Sequence, residues 1–149
     1  MIRIAHCCCG SLRAEASGEP TFVGACHCTE CQRRTGSPFG VSTYFLKEQV
    51  HTDGPSKVYV RGSDAGRKIE IHFCPDCGTS VFWHAEWAPA LIGIAFGAFA
   101  DPSMPLADGI RVGDDAASLG DLRSPTRSVC GPAETRRPRP GKANPRSWK

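Results

Sequence analysis

Apolar and polar residues alternate along much of the first hundred positions, with the two-residue period of half-buried strands rather than the 3.6-residue period of helices. Residues 11–16 (Ser-Leu-Arg-Ala-Glu-Ala) alternate in this way, and Gly18-Glu19-Pro20 then turns the chain. A second short strand over 21–25 leads into Cys26, and 39–46 is aromatic and β-branched enough for a third. Residues 57–61 and 67–73 alternate cleanly, and Gly62-Ser63-Asp64-Ala65-Gly66 between them predicts a hairpin turn. Strands over 79–84 and 91–99 complete the set. The pattern predicts no amphipathic helix before residue 103, beyond one helical turn over 29–34. The expected fold is a mainly β single domain of short hairpins with few helices.

The cysteines decide what holds such hairpins together. Cys26-His27-Cys28-Thr29-Glu30-Cys31 places three thiols in six residues. Packing requires no such spacing, whereas a tight turn can aim all three sulfurs at one metal ion. Cys7-Cys8-Cys9-Gly10 offers a second close pair, and Cys74-Pro75-Asp76-Cys77-Gly78 a third, followed by a glycine suited to a left-handed turn. A closed structural zinc takes four such ligands, and a catalytic zinc usually takes three and keeps a position open. Seven thiols therefore divide as four plus three: Cys7, Cys9, Cys74 and Cys77 in one structural site, and Cys26, Cys28 and Cys31 in a site with a vacancy. The expectation is two Zn²⁺ per chain. Cys8 lies between two ligands, points away from them, and is expected to be unligated.

Composition narrows the class. The chain has 149 residues and a formal net charge of +3, within the size of one domain. It opens without a basic segment followed by an apolar stretch, so no secretory signal is expected. The longest apolar run, 87–100, is too short for a bilayer and contains Pro89. The nine cysteines are an odd number, which suits metal binding in a reducing cytoplasm better than a disulfide framework. Residues 104–149 hold nine Lys/Arg and five Asp/Glu, against nine and ten in the first 103. Two parts are therefore expected: a zinc-binding β domain over 1–103 and a basic, Pro/Arg-rich, poorly ordered tail over 104–149. No aromatic stacking pattern accompanies the tail's charge, so a solvated tail is expected rather than a nucleic-acid arm.

Three separate segments carry a family resemblance: Cys7-x-Cys9-Gly10; Cys26-x-Cys28-x-x-Cys31 with Thr35-Gly36-Ser37-Pro38; and Phe73-Cys74-x-x-Cys77-Gly78-Thr79. They resemble the glutathione-dependent formaldehyde-activating enzymes, with centromere protein V-like zinc proteins as more distant relatives. The likeness covers about residues 3–103. It implies coiled β-sheets, a four-Cys structural zinc and a three-Cys zinc near the active site. It also implies a carbon–sulfur lyase activity that joins formaldehyde to glutathione as S-(hydroxymethyl)glutathione. The likeness fades after Pro102, and Cys130 stands where the family usually carries a tryptophan.

The chemistry expected at the triad follows from charge. Three thiolates around Zn²⁺ leave a formal charge of −1, a soft centre that suits another thiolate as fourth ligand. Metal binding deprotonates a thiol at neutral pH, and the thiolate is the nucleophile. The expected partners are a low-molecular-weight thiol such as glutathione and a small aldehyde. Arg33 and Arg34 are read either as anchors for the thiol's carboxylates or as solvated charges. Ser37, with the Thr35-Gly36 backbone, is read either as a hydrogen-bonding substrate contact or as a turn residue. His27 and His72 are expected to be bystanders, and His84 and Trp87 either line a pocket or end a strand. The alternative to an enzyme is a non-catalytic zinc module for protein or nucleic-acid interaction, in which both metals are structural.

Overall fold

The computed structural model describes residues 1–63 and 66–104. Residues 105–149, including Cys130 and nearly all of the expected tail, lie outside the described residues. Among the described residues, nine strands form two antiparallel sheets. The smaller sheet contains β1 (Ile2–His6), β2 (Arg13–Ser17) and β5 (Val50–Asp53), in the order β1-β2-β5. The larger contains β3 (Phe22–Cys26), β4 (Gly40–Leu46), β6 (Lys57–Gly62), β7 (Lys68–Phe73), β8 (Ser80–Ala85) and β9 (Leu91–Ala95), in the order β3-β4-β9-β8-β7-β6. The one α-helix among the described residues, α1 (Thr29–Thr35), joins β3 to β4. The mainly β expectation holds.

Three local expectations change. The chain's first residues form a strand that the alternation did not reveal, because its polarity is inverted. Arg3 and Ala5 face inward while Ile2 and Ile4 are 69% and 49% exposed. Arg3 is tolerated there because its guanidinium bonds the Gly18 carbonyl and both carboxylate oxygens of Glu19. The short strand β5, largely exposed, was also not expected. The strand expected over 91–99 stops at Ala95, and Phe96–Phe99 winds into a 3-10 turn that buries Phe99. The hairpin between β6 and β7 closes through a bond from the Ser63 amide to the Arg67 carbonyl.

Strand alternation gives the larger sheet two distinct faces. Phe45, Phe82, Ile92 and Ile94 project from one face and meet Ala5, Leu12, Ala14 and Ala16 from the smaller sheet, with Phe99 and Met104 closing this core. The other face carries a continuous cross-strand row: Phe22, Tyr44, Gly93, Trp83, Ile71 and Tyr59. Gly93 is essential to that row. The Trp83 indole lies across it, so a Cβ there would collide with the ring, while Trp83 Nε1 donates to the Tyr44 hydroxyl at 3.4 Å. Phe22 stacks on Tyr44 with ring centroids 4.4 Å apart, and Trp87 packs edge-on to the same tyrosine. Gly93→Ala should therefore destabilise the protein by about 1–3 kcal/mol, the usual cost of overpacking, measurable as a lowered denaturant midpoint with an unchanged m-value.

Candidate metal centres and the adjoining cleft

Two knuckles bring the first cysteine group together. At the end of β1 the Gly10 amide bonds back to the Cys7 carbonyl at 2.9 Å, and the Gly78 amide does the same to Cys74 after β7. Both glycines have positive φ, 80° and 75°, as such turns require. The result sets Cys7, Cys9, Cys74 and Cys77 with all their sulfurs within 4.8 Å of one another. Cys9 lies 3.4 Å from Cys7 and 3.6 Å from Cys74, sulfur to sulfur. Sulfurs sharing a tetrahedral zinc at about 2.3 Å sit roughly 3.8 Å apart, so the set fits that ion.

Polar groups favour thiolates at Cys7 and Cys77; at Cys9 the Ser11 hydroxyl acts the same way, but the neighbouring Cys7 and Cys74 thiols push it up to about 11. The Leu12 amide donates to Cys7 at 3.3 Å, the Ser11 hydroxyl reaches Cys9 at 3.0 Å and Cys74 at 3.2 Å, and the Thr79 hydroxyl reaches Cys77 at 3.2 Å. Bonds from Thr79 hold Cys77 down at about 5. Burial works against the Cys7 thiolate, but the Leu12 amide and the neighbouring thiols bring it down to about 7. Cys8 is exposed and stands outside the group, its amide bonded to Thr79.

The second group is built at a helix start. Cys26 ends β3, and Cys28 caps α1, its sulfur accepting the Cys31 amide at 3.4 Å. Glu30 in the first turn and Arg33 and Arg34 in the last complement the helix dipole, and Gly36 ends the helix in the left-handed region. Gln32 Nε2 donates to the His27 carbonyl at 2.8 Å, and His27 is not among the clustered ligands. Cys26, Cys28 and Cys31 have their sulfurs within 4.8 Å of one another, and no fourth His, Cys, Asp or Glu among the described residues joins them. Thiol donors from Cys26 and Cys31 hold Cys28 far below the ordinary thiol range, and that same Cys28 sulfur, helped by burial, pushes Cys26 well above it. Three thiols so crowded fit a divalent cation, whose charge makes three adjacent thiolates compatible.

Beside the triad lies a cleft of about 400 Å³, lined by Glu30, Arg33 and Arg34 from the helix side and by Tyr59, Arg61, Ile71, Phe73 and Ser80 from the sheet. Arg34 is fixed in place. Its guanidinium lies over the Trp83 ring, 4.8 Å from the centroid, and a Cβ at Gly40 would come within 2.8 Å of its Nη2. Arg33 is 74% exposed and paired with Glu30 at 2.8 Å. Ser37 is half-buried just past the helix, its amide bonded to the Thr35 hydroxyl, and it does not line the cleft. Arg61, Tyr59 and Phe73 were not singled out from the sequence, because only strand pairing brings them opposite α1. Trp87 packs into the aromatic row. His84 lines a separate, smaller recess with Lys47 and Glu70, and burial lowers its pKa, as it does that of His72, which stacks on Phe82.

Fold and site together define a two-sheet β protein with two all-thiol clusters whose sulfurs are close enough to share a metal ion. A family model described as glutathione-dependent formaldehyde-activating enzyme matches residues 2–110, and the chain belongs to that family. A crystal structure of a Rhodobacter sphaeroides protein is similar in fold, with 16% identity and a TM-score of 0.54 over 73% of this chain and 98% of that one. A search of curated proteins finds no match. The family's role is glutathione-linked formaldehyde activation. Among the described residues, no helix is long and apolar enough to cross a membrane.

Proposed function

We propose that the protein catalyses addition of a low-molecular-weight thiol such as glutathione to a small aldehyde, formaldehyde in the first instance, and the reverse elimination. Cys26, Cys28 and Cys31 hold one Zn²⁺, and Cys7, Cys9, Cys74 and Cys77 hold another with a structural role. Zinc on three thiolates supplies a soft position for a substrate thiolate at neutral pH. In the forward direction the substrate sulfur bonds to the aldehyde carbon, the carbonyl π bond opens, and the proton lost from the thiol ends on the oxygen as the hydroxymethyl group. Elimination reverses each change, which makes the activity that of a carbon–sulfur lyase.

The chain's own residues bind and orient. Arg33, at the rim of the cleft, offers a guanidinium to a carboxylate of the thiol, while Ser37 lies outside the cleft and shapes the turn after α1. The observation that carries this reading is the three-thiol group with no fourth protein ligand among the described residues, set next to a cleft of substrate size. The test is exchange spectroscopy on glutathione and formaldehyde at equilibrium. Zinc-loaded protein should accelerate interconversion with S-(hydroxymethyl)glutathione above the spontaneous rate. No acceleration by protein containing two zincs would overturn the proposal.

A further inference from the structure

Among the described residues, three guanidiniums line the cleft beside the triad and only one carboxylate does. That carboxylate, Glu30, is taken by Arg33. Among the described residues Arg34 and Arg61 have no acidic partner. Arg34 rests on an aromatic face, and Arg61 reaches only the Gly62 carbonyl at 3.4 Å. A half-buried guanidinium carries five donors, and placing it without an acceptor has a desolvation cost that a structural role would have to offset. Arg61 has no such role in view. It stands near the end of the sheet's edge strand, on the wall of the cleft formed by the sheet, while Arg33 and Arg34 come from the helix. Between the two charges the wall is apolar, formed by Tyr59, Ile71 and Phe73. The cleft thus sets two guanidiniums without acidic partners across a largely apolar floor, next to the helix that carries Cys31.

We infer that Arg61, with Arg34 on the facing wall, is a specificity-determining residue that binds a carboxylate of the thiol substrate, so that the protein selects carboxylate-bearing thiols over neutral ones. This rests on the thiol–aldehyde reading above and extends it to residues on the edge strand. A guanidinium matches a carboxylate with two parallel hydrogen bonds, and the partial burial of the cleft keeps the pair from being fully screened. Arg33, already paired and mostly exposed, contributes less.

The probe is S-methylglutathione, which keeps both carboxylates but has no thiol to ionise. Calorimetry on the full zinc-loaded chain should show that it binds, that its dimethyl ester binds at least tenfold more weakly, and that Arg61→Gln weakens the diacid about tenfold, equivalent to about 1.4 kcal/mol. Arg61→Lys, which keeps the charge but loses the fork, should fall between. In turnover, Arg61→Gln should raise KM for glutathione while kcat changes little, and should shrink the preference for glutathione over 2-mercaptoethanol by the same factor. A merely structural arginine would instead lower the melting temperature and leave that preference intact. The inference is overturned if the wild-type protein does not bind S-methylglutathione, if the ester binds as well as the diacid, or if Arg61→Gln leaves binding unchanged. Any of these results alongside normal turnover of glutathione and formaldehyde removes this assignment alone. Absence of turnover in the wild-type protein removes the underlying reading as well.

Discussion

Cys74→Ser should cost the protein its fold. Cys74 is completely buried, it touches both Cys9 and the Ser11 hydroxyl, and it belongs to the same packed cluster as Leu12, Phe45 and Val81. The four-sulfur set draws one pair from the end of β1 and the other from the end of β7, so it ties the small sheet to the large one. An alcohol in place of the thiolate removes a strong ligand and leaves three crowded thiols and a buried hydroxyl behind. Metal binding to such a set is folding free energy, so its loss should exceed the ordinary range for a point substitution, at about 4 kcal/mol or more. Zinc content should fall from two to one per chain, and the cooperative thermal transition should be lost or fall steeply. Retention of both zincs with an unchanged melting curve would show that the knuckles do not share a metal.

Cys28→Ser should act the other way, removing chemistry and sparing the fold. Cys28 caps α1, and truncating a cap to alanine costs about 1 kcal/mol, which would confuse the result. Serine keeps an acceptor for the Cys31 amide while discarding the thiolate. The triad lies on the far side of the larger sheet from the main core, so its ligands do not join the two sheets. The expected outcome is one zinc per chain, a melting temperature within a few degrees of the parent, and activity reduced more than about a hundredfold. That bound follows because losing even an outer partner of a metal ligand commonly costs 10–100-fold. Metal analysis, thermal denaturation and the exchange assay read the three quantities separately. Full activity in this variant would exclude the triad from the reaction.

The division of the cysteines into four and three was legible because spacing along the chain, C-x-C and C-x-x-C, already prescribes which sulfurs can converge. Strands with clean alternation, such as 57–61 and 67–73, were legible for the same reason: local pattern matched local structure. Where pattern and structure parted, the cause was long-range. β1 hides its character because a buried Arg3 is satisfied by Gly18 and Glu19, fifteen residues or more away. β6 is the strand its alternation predicts, but its burial was not legible: it is the sheet's edge, and Val58, Tyr59 and Val60 are all about half exposed. The seat of Arg34 depends on Trp83 and Gly40, and that of Trp83 on Gly93, a chain of contacts that no window of sequence contains. Arg61 escaped notice because nothing beside it in sequence distinguishes it from a surface charge.

The pairing of Cys9 with Cys74 has a consequence for how the molecule is made. Sixty-five positions separate these two sulfurs. A growing polypeptide therefore presents Cys7 and Cys9 well before the ribosome has released their counterparts, and loop closure over that distance has to precede tight capture of the ion. The N-terminal hairpin remains an unfinished half until then, with its thiols open to oxidants. If the four thiols hold zinc, the yield of correctly assembled protein should depend on zinc being available once Cys74 and Cys77 have emerged.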